Sequence, residues 1–210
     1  MSFVLPDGLA PEVYPLAWLV GRWRGEGVVG YPGIDESAFT QEVVFDHDGG
    51  PYLSYTSTIR LVVAPDDAAA LDEGAAATDV DATDPGATDP DAAPAPAAPA
   101  QPGPVWSTES GYWRVPPERP AELTAEQHPV EVLLADPAGH LTLFVGAVGN
   151  GRIDLASDLV ARSASAAEVS AATRLYGLVK GELMWAHDLA AFGQPMQSYA
   201  SARLSRVVEE

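Results

Sequence analysis

Short runs of alternating apolar and polar residues, separated by turn signals, fill most of the chain. That two-residue period marks half-buried strands. Gln41–Phe45 leads through Asp48-Gly49-Gly50 into Tyr52–Ile59, a hairpin signal. Further strands are predicted over Trp106–Val115 and Val130–Ala135. Asp136-Pro137-Ala138-Gly139 then turns into Leu141–Val145, and Gly149-Asn150-Gly151 into Ile153–Val160. Glu168–Val179 turns at Lys180-Gly181 into Leu183–Leu189, and Met196–Val207 closes the series. The only helical candidate is Pro11–Leu19, read as a short lid. Sequential hairpins without crossover helices predict an all-β fold, an antiparallel up-and-down barrel of about ten strands, lipocalin-like in plan. A barrel of that size holds one small ligand inside.

One more strand surrounds the stretch Gly21-Arg22-Trp23-Arg24-Gly25-Glu26-Gly27. Alternate residues of a strand share a face, so Gly21, Trp23, Gly25 and Gly27 point the same way. Absent side chains beside a large ring leave room for another backbone, a sharp bend or a flat ligand. Trp23 is expected to plug one end of the barrel.

Residues 64–104 break the pattern. They are Ala, Pro, Asp, Glu, Thr and Gly with almost nothing apolar beyond alanine, and carry nine acids without one Lys or Arg. Such a segment buries too little surface to offset its ordering entropy. It reads as a disordered acidic insertion between two strands of a single domain spanning 1–210, with an acidic docking tail as the alternative. Residues 1–63 are too short and too edge-rich to stand alone.

Composition removes several classes of function. The 210 residues include no cysteine, which excludes disulfides and thiolate metal sites. The formal charge of −19 argues against nucleic acid or an anionic membrane as partner. No apolar run approaches the roughly 20 residues that span a bilayer, and the first 20 residues lack a basic leader. A cytoplasmic protein is expected. Gly21–Gly27 lacks the Lys-Ser/Thr and following helix of a phosphate loop. No nucleophile elbow or His-Glu-x-x-His helix occurs.

Five stretches together carry a resemblance: Gly21-x-Trp23-x-Gly25-x-Gly27 with Tyr31-Pro32; Glu42-Val43-Val44-Phe45; Tyr55-Thr56; Ser107-x-Glu109-x-Gly111-Tyr112; and Gly193-Gln194-Pro195-Met196-Gln197. In this order the chain resembles the nitrobindins, haem-binding β-barrels built like the fatty-acid-binding proteins. The resemblance implies ferric haem held by a histidine on the last strand, and conversion of peroxynitrite to nitrate. At the position of that histidine this chain has Tyr199, and where the family tends to read Tyr-Pro-Thr-Ile it reads Tyr31-Pro32-Gly33-Ile34.

Four histidines remain as substitutes. His47, His128 and His140 fall in polar turns and are expected in solvent. His187 shares an apolar strand face with Leu183, Trp185 and Leu189. A hairpin pivoting near Gly193 would set it opposite Tyr199 and set Trp185 opposite Ser201. Three arrangements are open at that pair. It is a hydrogen-bonded couple filling the haem space, or haem b sits on the Tyr199 phenolate or on His187. In the third, Tyr199 and Arg203, four residues apart on one face, clamp a carboxylate. The expected state is a nitrobindin-like binding module for a small hydrophobic or planar ligand, without haem and without the family's isomerase activity. A haem protein with altered ligation is the alternative.

Overall fold

The computed structural model describes residues 5–62 and 103–208. Its ten strands are β1 Gly21–Tyr31, β2 Ile34–Asp46, β3 Leu53–Leu61, β4 Val105–Arg114, β5 His128–Ala135, β6 His140–Gly149, β7 Arg152–Arg162, β8 Val169–Val179, β9 Glu182–Ala191 and β10 Gln197–Arg206. Each pairs antiparallel with its sequence neighbours, and β10 returns to β1, closing the barrel. The strand order is therefore the up-and-down order that the hairpin signals predict. The acidic insertion expected at 64–104 lies outside the described residues except for its last two. At that border the Leu61 amide donates to the Pro104 carbonyl at 3.0 Å, so β3 and β4 stay paired to their ends.

The barrel is closed at one end and open at the other. Pro11–Leu19 forms a 3₁₀ helix that turns Val13, Leu16 and Leu19 inward, each fully buried. Behind it Trp23, Phe45, Leu53, Trp113, Ile153, Leu183 and Leu204 fill the lower barrel. The Trp23 indole N–H donates to the Leu19 carbonyl at 2.7 Å, tying the first strand to the end of the helix. The Arg206 guanidinium lies 4.2 Å from the Trp23 ring centre and donates to the Trp18 carbonyl at 2.8 Å. The last strand thereby clamps the helix from the other side.

Gly25 and Gly27 explain why the motif strand needs missing side chains. A Cβ at either position would overlap the carbonyl oxygens of Arg203 or Ser201 on β10. Only glycine lets the two backbones meet along this seam.

The β9–β10 register differs from the simple hairpin expectation. Gln197 pairs with Leu189 and Ser198 with Asp188, but His187 then pairs with Ala200 and Trp185 with Ala202. Tyr199 is the extra residue of a bulge. β4 carries a second irregularity: Ile59 pairs with Ser107 and Arg60 with Val105, which leaves Trp106 out of register. Bulges re-aim side chains, and both of these residues turn into the barrel.

Candidate functional site

The open end of the barrel leads into an interior cavity of about 520 Å³. Its floor is charged. Arg174 on β8 reaches across the barrel to Glu109 on β4, donating to one carboxylate oxygen at 2.8 Å and, through its second terminal nitrogen, to the other. Tyr55 donates to Glu109 at 3.4 Å, and Arg174 donates to the Tyr176 hydroxyl at 3.4 Å. Burial alone would push the Glu109 carboxyl up. The Arg174 charge and hydrogen bonds outweigh it and hold Glu109 below the usual carboxylate range, so both partners are ionised. A neutral network forms one wall, in which the Trp185 indole donates to Gln41 at 2.8 Å and Gln41 donates to Ser57 at 2.9 Å. Each of these groups satisfies a polar atom that burial would otherwise leave unpaired.

Near the mouth the two bulged residues meet. The Trp106 indole N–H donates to the Tyr199 hydroxyl at 2.9 Å. Their strands are not neighbours in the sheet, so this bond crosses the cavity. Burial pushes the Tyr199 phenol up, against the pull of the Trp106 hydrogen bond. His187 stands edge-on to Tyr199, ring centres 5.5 Å apart at 90°. No hydrogen bond to either His187 ring nitrogen forms among the described residues, and its Nε2 is sealed from solvent. Burial, reinforced by the Arg174 charge facing it across the β8–β9 register, pushes the imidazole well below its ordinary value. It is neutral.

That depression has a measurable consequence. The unfolded chain takes up a proton at His187 near pH 6.5 while the folded chain does not, so stability falls as pH falls. From pH 7.5 to 5.5 this one group is expected to remove about 1 kcal/mol. Thermal unfolding across that range should show a shallower decline for His187→Leu than for the wild type. Equal slopes would mean the imidazole titrates as it does in solvent.

Of the residues singled out in the sequence, Tyr199 and His187 both line the cavity. They touch through their rings rather than by the expected hydrogen bond. Arg203 does not join them. The bulge at Tyr199 reverses the alternation beyond it, so Arg203 faces outward and pairs with Glu182, donating at 2.7 Å. It lies in a groove of about 690 Å³ over the outer face of β1 and β8–β10. Gly33 sits in the β1–β2 turn at φ +87°, a conformation that strains threonine. Of the three histidines expected in solvent, His128 is exposed and His47 half-buried. His140 departs further, lining the mouth with Nδ1 3.2 Å from Asp136 and Nε2 2.9 Å from the Ala167 carbonyl. The residues that sequence reasoning missed are Arg174 and Glu109. The signal was there: on β8, Ala172, Arg174 and Tyr176 occupy successive inward positions, and a charge among them needs a partner.

A family profile described as a THAP4-like, heme-binding beta-barrel domain matches residues 12–206. The chain belongs to this nitrobindin family. A Beutenbergia cavernae protein named ferric nitrobindin-like protein is 48% identical and covers 99% of this chain and 100% of its own length. One of the same name from Kineococcus radiotolerans is 42% identical over 99% of each. A Clavibacter sepedonicus protein named peroxynitrite isomerase is 38% identical, covering 97% of this chain and 98% of its own. Among solved structures, Rv2717c from M. tuberculosis superposes with a TM-score of 0.66 at 28% identity, over 95% of this chain and 99% of that one.

Two features of the cavity bear on haem. The last-strand residue aimed into it is Tyr199, whose oxygen already accepts the Trp106 hydrogen bond and whose proton burial makes harder to remove. The one interior guanidinium among the cavity-lining residues, which haem's carboxylates would seek, is engaged at both terminal nitrogens by Glu109.

Proposed function

We propose that this nitrobindin-family chain is a binding module that takes a small apolar or planar ligand into its barrel and does not hold haem in the family manner. One observation carries the reading: the Tyr199 hydroxyl, at the family's histidine position, is bonded across the cavity to Trp106. With no imidazole there, the isomerase activity in the names of several relatives is not expected of this chain. The cavity supports a ligand-binding role, since about 520 Å³ with a mostly apolar lining and a few convergent polar groups suits a small organic molecule.

Haem titration tests this. The wild type is expected to give no stoichiometric Soret band, and Tyr199→His to create one, because the bulge already aims that position into the cavity. A second reading, haem on His187, is favoured by that imidazole being neutral and without a hydrogen-bond partner among the described residues. Stoichiometric haem in the wild type, lost in His187→Ala, would install it.

A further inference from the structure

The ligand's chemistry can be narrowed from the charges that line the cavity and from the polar atoms left without partners, an inference that rests on the barrel being a ligand carrier. Four ionisable groups besides the tyrosines and His187 line the chamber: Glu109, Arg174, Asp136 and His140. Glu109 and Arg174 neutralise each other at the floor, and both carboxylate oxygens are engaged. Asp136 stands at the mouth beside His140. A buried ligand charge needs a counter-charge of its own. An anion entering this chamber meets an Arg174 whose charge Glu109 already neutralises. A cation at the floor would have to take Glu109 from Arg174, and the other lining carboxylate, Asp136, stands at the mouth beside His140. The chain's charge of −19 further opposes anions on approach.

Two polar atoms remain unsatisfied in the same place. Among the described residues neither His187 Nε2 nor Arg174 Nε, both buried, finds a hydrogen-bond partner, and the two residues are cross-strand partners between β8 and β9. A neutral imidazole carries one donor and one acceptor. Among the described residues none bonds either ring nitrogen of His187, and its ring lines the chamber within an apolar surround that includes Leu189 and Ala200. Such a place is costly to leave unmatched and rewards a ligand that matches it.

We infer that the barrel selects uncharged, largely aromatic or apolar molecules bearing a carbonyl or hydroxyl group, which His187 binds beside Arg174.

The experiment uses three fluorescent probes on the full chain. Nile red is neutral, planar and carries a carbonyl; diphenylhexatriene is neutral hydrocarbon; cis-parinarate is an apolar carboxylate. At pH 7.5 Nile red should bind tightest and parinarate weakest. His187→Leu should weaken Nile red about tenfold, the scale of one lost hydrogen bond in a dry site. It should leave diphenylhexatriene unchanged or tighter. Unchanged diphenylhexatriene binding also reports that the variant keeps its fold. Parinarate binding as tightly as Nile red would overturn the preference for neutral ligands. Nile red indifferent to His187→Leu would overturn the role of the imidazole. If all three probes bind alike, the carrier reading stands and this inference falls. If none enters the barrel, both fall together.

Discussion

Arg174→Leu is expected to destabilise the barrel by about 3–5 kcal/mol, the cost of leaving a charged partner buried and unpaired. Arg174 is 8% exposed and Glu109 21%, so the carboxylate has little water to turn to. The double variant Arg174→Leu with Glu109→Leu should recover most of the loss, since it strands no charge. Denaturant unfolding of both measures the difference. The pH dependence supplies a second check. Without Arg174, burial is left to raise the Glu109 carboxyl above its unfolded value. A group raised in the folded state contributes stability below its unfolded value, near 4.3, and loses it as pH rises. The single variant's deficit should therefore shrink in acid. A loss under about 1 kcal/mol at pH 7, indifferent to pH, would mean Glu109 is hydrated and the charged floor is incidental.

Trp23→Ala should cost about 3–5 kcal/mol, the range for removing a fully buried large aromatic side chain. Three connections fail together: the packing behind the 3₁₀ helix, the hydrogen bond to Leu19, and the contact with Arg206. Trp23→Phe keeps much of the volume but leaves the Leu19 carbonyl without its donor. It should fall between the wild type and the alanine variant. Urea midpoints for the three proteins rank them. A change below about 0.5 kcal/mol for the alanine variant, the response of a surface site, would remove Trp23 from the closure of the barrel.

These two expectations differ in how far they were legible in the chain. The Trp23 plug follows from the glycine alternation, because side-chain parity along an uninterrupted strand is local. The same parity placed Leu183, Trp185, His187 and Leu189 on one inward face, where the structure has them. The Arg174–Glu109 pair was half legible. An arginine between Ala172 and Tyr176 announced a buried cation, but its partner is 65 residues away on another strand. Which strands face each other across the lumen is a property of the closed barrel.

The sequence by itself determined the strand order, the Trp23 plug and the shared inward face of Leu183, Trp185, His187 and Leu189, since hairpin turns and two-residue alternation are short-range. Only the tertiary structure decided the mouth. One extra residue in β10 turns Tyr199 inward and Arg203 outward, and one in β4 turns Trp106 inward to meet Tyr199. A bulge shifts the parity of everything beyond it. Whether a strand takes one depends on how it must bend to follow its neighbours around the barrel, and no local pattern of residues records that.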